Sequence, residues 1–168
     1  MTNPLILKAG GRLFRFHYGE WDRPLFIALG AALAEAQSLE FQLAHMLGLA
    51  STANEERLTA ELTEDFLSRT LGYLARKIRE YAPDDHTATV LDDLVETRNY
   101  VVHRCLRDYG WPMSSIDEYQ KAVHELDDIR TLLRDGGDTI ILAIQKAKDL
   151  DIILVRTNPE TGKPQVVN

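Results

Sequence analysis

Within Arg98-Asn99-Tyr100-Val101-Val102-His103, three side chains of different chemistry lie close together in the chain. A guanidinium grips a phosphate or carboxylate through a fork of hydrogen bonds. An imidazole moves a proton near neutral pH. A carboxamide donates and accepts at once, so it can orient a neighbour. On a helix turning roughly 100° per residue, Asn99 and His103 fall one turn apart on one edge, with Asp92 and Glu96 on the same side. Arg98 falls instead near the middle of the apolar face formed by Val90, Leu91, Leu94, Val95, Val101, Val102, Cys105 and Leu106. An arginine there needs an anion, several carbonyls, or an opening such as a cleft or subunit seam. These groups suit RNA cleavage without a metal. The substrate's own 2′-hydroxyl would attack the adjacent phosphorus, His103 would move a proton, Arg98 would stabilise the phosphoryl oxygens, and Asn99 would orient a group by hydrogen bonding.

The competing structural reading pairs Arg98 with a carboxylate of the first long helix, such as Glu40 among Leu39, Phe41 and Leu43, and leaves His103 partly exposed. His45 reads as a core or rim histidine, His124 as facing solvent or a helix neighbour, and His17 and His86 as loop or end residues; their spacing does not indicate a metal site. Arg69, Arg76, Lys77 and Arg79, and beyond the motif Arg104 and Arg107, form either an RNA-binding edge or a solvated surface interspersed with acids. Cys105 lies on the apolar stripe as a small core residue, and Trp21 and Trp111 cap the ends of the core. No Gly-rich phosphate loop, serine elbow or iron-carboxylate set is visible, so neither metal nor cofactor is expected.

The elements that position these residues are mainly helical. Helix one is expected from Asp22-Arg23-Pro24 to about Gly48, with Asp as cap and Pro in the first turn. Helix two follows Ser51-Thr52-Ala53-Asn54 and runs through Tyr81 to Pro83-Asp84-Asp85. Helix three covers about His86 to Asp108 and stops at Tyr109-Gly110-Trp111-Pro112. Ser115-Ile116-Asp117-Glu118 is a capping-box pattern that opens helix four. Asp135-Gly136-Gly137-Asp138 is expected to interrupt it, leaving a fifth helix from Thr139 to Leu150. Before residue 20, Leu5-Ile6-Leu7-Lys8 and Arg12-Leu13-Phe14-Arg15-Phe16 flank a double glycine and suggest a β-hairpin. After residue 150, Ile152–Arg156 and Pro164–Val167 read as short strands around the turn Asn158–Gly162, and the strands of the two ends could pair with each other. The expectation is one domain over 1–168: a mainly α bundle of four to five helices across 22–150, with short β pieces at the termini.

Hydrophobic residues make up 45% of the 168-residue chain and charged residues 27%, which supports a packed core rather than wholesale disorder. A net charge of -7 argues against a general DNA coat, although a basic groove across a subunit boundary stays compatible with it. With Cys105 the only cysteine, no intrachain disulfide can form, which fits a reducing compartment. No apolar run approaches the ~20 residues a membrane helix needs, so the expected location is cytoplasmic.

Arg98-Asn99-Tyr100-Val101-Val102-His103 resembles the signature of HEPN domains, an Arg followed by a polar residue, often Asn, with a His four to six residues further on. HEPN domains are helical bundles, commonly dimeric, and the motif lies on a late core helix. In many members two copies meet at the dimer seam and form one metal-independent ribonuclease site. The resemblance covers the motif and a compatible helix order from about residue 22 to 150. It implies Arg98 and His103 as catalytic, Asn99 as polar helper, an RNA substrate, a homodimer, and a toxin or anti-phage setting with an antitoxin or other protein partner. Some toxin members carry a Tyr two residues after the His, linked to modification by a partner nucleotidyltransferase. Cys105 occupies that position here, so this form of regulation is not implied. Other HEPN proteins cleave nothing, which leaves an interaction module for a partner protein or a nucleotide as the alternative. An unrelated helical protein is the third reading.

Overall fold

In the computed structural model, residues 19–51 and 61–150 are described with their side chains, and 5–9, 12–16, 56–60, 155–157 and 164–166 by backbone alone. The turns expected at residues 10–11 and 158–162, His17, and the start of helix two at 52–54 lie outside the described residues. The protein is mainly α. Among the described residues six helices follow one another: α1 (Asp22–Ser51), α2 (Glu56–Leu67), α3 (Leu71–Tyr81), α4 (Asp85–His103), α5 (Cys105–Asp108) and α6 (Ile116–Lys148). Ahead of them β1 (Leu5–Ala9) pairs antiparallel with β2 (Arg12–Phe16), Leu5 opposite Phe16. After them β3 (Val155–Thr157) pairs antiparallel with β4 (Pro164–Val166), Val155 opposite Val166. Each end therefore pairs within itself and forms its own two-stranded sheet, not a shared one. Closing a short loop costs less chain entropy than joining the two termini.

The starts of α4 and α6 are fixed by side-chain caps. Ser115 accepts from the Glu118 backbone N–H while Glu118 accepts from the Ser115 N–H, completing the expected box on α6. Asp84 caps α4 by accepting from Thr87 N at 2.8 Å. Three boundaries differ from the sequence reading. The expected second helix is split in two, because Ser68 turns its hydroxyl onto the Asp65 carbonyl at 2.7 Å and Thr70 is extended. The third is divided by Arg104, whose φ of -127 separates α4 from α5. The fourth and fifth are one continuous helix through Gly136 and Gly137. Those glycines are sites of close approach. A Cβ on Gly136 would lie 2.8 Å from Leu94 Cδ2, and one on Gly137 would lie 2.8 Å from Leu39 Cδ1. The helical penalty of about 1 kcal/mol per glycine is offset by bringing α6 down onto α4 and α1.

The core divides into two clusters along the long helices. The larger joins Leu39, Leu43 and Leu47 of α1 to Leu74 and Ile78 of α3, Leu91 and Leu94 of α4, and Leu133, Ile140 and Ile144 of α6. The smaller joins Leu25, Ala28, Leu29 and Ala32 of α1 to Val101, Cys105, Ala122 and Leu126. The start of α1 thus meets the end of α4 and the start of α6. It follows that α4 runs opposite to α1, while α6 runs alongside α1 in the same sense. Among the described residues, no helix is long and apolar enough to cross a membrane.

Candidate functional site

Arg98 lies where α4 meets α1, within the stripe marked by the buried Leu91, Leu94 and Val101, as expected from the helical phase. Its Nε donates to Glu40 Oε1 at 2.8 Å, and the two side chains are 22% and 24% exposed. This is the carboxylate partner that the apolar surroundings of Arg98 required. Nη1 donates to Asn99 Oδ1 at 3.2 Å. Arginine has no acceptor, so this contact fixes the amide: its oxygen faces the guanidinium and its amino group faces outward. The remaining nitrogen, Nη2, has no hydrogen-bond partner among the described residues.

His103 is the last residue of α4 and is exposed. It lies five positions after Arg98 in sequence, which turns it about 140° around the helix. The two side chains therefore do not converge within one chain. Asn99 and His103 do share the solvent edge of α4, one turn apart. Arg98 and Glu40, both partly exposed, bridge α4 and α1, and Asn99 and His103 lie on the solvent side of α4 beside them. Four apolar side chains stand out on these helices: Ile27 is 62% exposed, Phe41 55%, Leu49 41% and Val102 39%. His45, one turn beyond Phe41, is a rim histidine whose Nδ1 lies 3.0 Å from the Phe41 carbonyl oxygen.

The groove between α4 and α6 has the opposite electrical character from a phosphate site. Glu96, Glu125 and Asp128 line a cleft of about 300 Å³ together with Tyr100, Arg104 and Leu132. Arg104 lies over the Tyr100 ring at 5.7 Å, and Arg107 is paired with Asp108 at 2.9 Å. Both cations read from sequence as RNA contacts are thus engaged within the chain. The basic stretch of α2 and α3 is matched in the same way: Arg69 pairs with Asp65, Lys77 with Glu80 and Arg79 with Asp92. Cys105 is buried, and burial pushes its thiol above the usual range, which makes it a poor nucleophile. No group of His, Cys, Asp and Glu that could hold a metal ion occurs among the described residues.

Sequence reasoning read Asp22 as a helix cap and missed its larger role. The Asp22 carboxylate is buried and accepts three hydrogen bonds: from Gly19 N at 2.5 Å, Trp111 Nε1 at 3.0 Å and Tyr119 O–H at 2.8 Å. It ties the start of α1 to the α5–α6 connection and to α6. The available signal was that a Trp and a Tyr near helix ends each need a polar partner. Burial, with Asp22 alongside, raises the Tyr119 hydroxyl above its usual range. Tyr119 also lines a cleft of about 440 Å³ with Trp21, Pro24, Gln120, Val123, His124 and Asp127. The chain matches no protein-family model, no curated protein and no solved structure.

Proposed function

We propose that this protein is a metal-independent endoribonuclease of HEPN type that works as a homodimer, in a toxin or anti-phage defence setting with a cytoplasmic RNA substrate. The observation that carries the reading is the partly exposed arginine that bridges α4 to α1. Glu40 and Asn99 hold its guanidinium at Nε and Nη1, while Nη2 is left to donate to a phosphoryl oxygen. A pre-oriented guanidinium loses less side-chain entropy on meeting a phosphate than a free one. The exposed Phe41, Ile27 and Val102 give the two helices an apolar margin suited to a second copy. A two-fold axis over the Arg98–Glu40 pair would set His103 of one chain across from Arg98 of the other, supplying the convergence that one chain lacks. His103 would then move the proton of the 2′-hydroxyl or the leaving oxygen, with the Asn99 amino group orienting the phosphate.

A second reading is a non-catalytic module of the same type that binds a partner protein or a nucleotide. It is favoured by the carboxylate already on Arg98 and by Glu96, Glu125 and Asp128 in the adjoining cleft, which repel a phosphate backbone. Incubating the purified protein with a mixed RNA pool in EDTA separates the two. Cleavage by wild type, lost in folded His103→Ala and Arg98→Ala variants, supports the ribonuclease. An intact dimer with no turnover in any of the three supports the module.

A further inference from the structure

We propose that the cleft between the start of α1 and the first turns of α6 binds a nucleobase, with guanine as the best-fitting base. Arg98 does not line this cleft, and the proposal does not depend on the ribonuclease reading. Its volume of about 440 Å³ lies in the range of roughly 300–1,000 Å³ in which small-molecule sites fall. One wall is Trp21 with Pro24; the other is the α6 face made by Tyr119, Gln120, Val123, His124 and Asp127. The walls are apolar and the rim is polar, the usual division of a site that stacks a flat ring and reads its edge.

Two features indicate a built site. Trp21 is 40% exposed although it adjoins the buried hub at Asp22, so a large apolar ring faces the cleft instead of the core. Tyr119 is held in place: its hydroxyl donates to the buried Asp22 carboxylate at 2.8 Å, and Trp111 Nε1 donates to the same oxygen at 3.0 Å. An anchored tyrosine and an exposed tryptophan offer stacking area with little rotamer entropy to lose.

The rim sets the chemistry of the ligand. Asp127 accepts only, and its Oδ1 takes a hydrogen bond from Arg130 Nη1 at 3.0 Å. Oδ2 has no hydrogen-bond partner among the described residues. Asp127 is 53% exposed and paired with Arg130, so its free oxygen is open to accept a donor from a ligand edge. Gln120 and His124, also on α6, can donate to acceptors elsewhere on the ring. Guanine carries two adjacent donors, N1–H and the N2 amino group, and two acceptors, O6 and N7. Uracil offers one ring N–H between two carbonyls and fits a carboxylate less well. The base can arrive as a free nucleoside or as an unstacked base of an RNA strand, and the contacts are the same in both cases.

The test is titration of the full-length protein with guanosine, uridine and a short guanine-containing oligoribonucleotide. Calorimetry gives affinity, and tryptophan fluorescence reports on Trp21. Saturable guanosine binding is expected, about tenfold tighter than uridine, one such factor being worth about 1.4 kcal/mol. Trp21→Ala and Asp127→Asn should each weaken it about tenfold while keeping the wild-type circular dichroism. Fluorescence quenching should vanish in Trp21→Phe, because Trp111 is turned to Asp22. Binding by the oligoribonucleotide but not by guanosine supports a base presented on a strand; equal affinity for both supports a free nucleoside. No saturable binding by either overturns the proposal, as does guanosine affinity unchanged in folded Trp21→Ala and Asp127→Asn or equal to that of uridine. Arg98→Ala should leave guanosine binding intact, so failure here and failure of RNA cleavage are separate results.

Discussion

The Arg98–Glu40 pair connects the fold to the proposed chemistry, and Glu40→Gln isolates it. At an effective dielectric constant of about 20, opposite unit charges near 4 Å attract by about 4 kcal/mol. Against this stands the cost of withdrawing both ions from water, which reaches several kcal/mol per ion for a fully buried group. With the side chains still 22% and 24% exposed, that cost is partial and the attraction is screened. The net coupling should lie near 1–2 kcal/mol, above an exposed pair and below a fully buried one. Glu40→Gln, Arg98→Met and the double variant form a double-mutant cycle readable by urea denaturation. For a chain of this length, a loss of about 1–2 kcal/mol lowers Tm by roughly 2–8 °C. If the ribonuclease reading holds, Glu40→Gln should also lower kcat more than it raises KM, because the guanidinium loses its orientation. A coupling below about 0.3 kcal/mol would refute the claim that the pair fastens α4 to α1. Unchanged turnover in a folded Glu40→Gln variant would refute its positioning role.

Gly136→Ala should destabilise the protein by about 1–2 kcal/mol despite the gain in helix propensity, because Leu94 Cδ2, Cγ and Cδ1 would lie 2.8, 3.2 and 3.5 Å from the new methyl and Leu94 is fully buried. Gly137→Ala meets only the Leu39 Cδ1 methyl and should cost less, so urea midpoints that rank the two variants the other way would contradict the packing argument. Both caps should show in the pH dependence. Hydrogen bonds from Thr87 hold Asp84 below its ordinary 3.8, and those from the Ser114 backbone and hydroxyl hold Glu118 below 4.5. A lowered folded-state pKa means that this stabilisation is fully present above those ordinary values and is lost as pH falls through the folded ones. Wild type should therefore lose stability below about pH 4.5 more steeply than an Asp84→Asn, Glu118→Gln variant, and parallel urea-midpoint curves for the two proteins would exclude the caps as the source.

The motif helix was legible because its signals are local. The stripe Leu91, Leu94 and Val101 set its phase, and phase alone made Arg98 conspicuous enough to require a partner such as Glu40. The breaks were misread for a physical reason. Gly136 and Gly137 have the composition of a helix stop, yet Leu94 and Leu39 need the space that two absent side chains leave. Ser68 and Thr70, inside an otherwise helical pattern, carry no strong stop signal, and only the hydroxyl turned onto the Asp65 carbonyl marks the break.

Side-chain type and helical spacing, which act over one or two turns, determined by themselves the mainly α character, the capping box at Ser115, the chemistry present in Arg98, Asn99 and His103, and the demand for an anion beside Arg98. Tertiary structure decided which carboxylate answered that demand. It also gathered Glu96, Glu125 and Asp128 into an acidic cleft, and Trp21 and Asp127 around a single cavity, itself braced by the Asp22 hub. These groups lie far apart in sequence and meet only because α4 runs against α1 while α6 runs alongside it. That arrangement is set by how two separate apolar clusters close, and no local spacing encodes it.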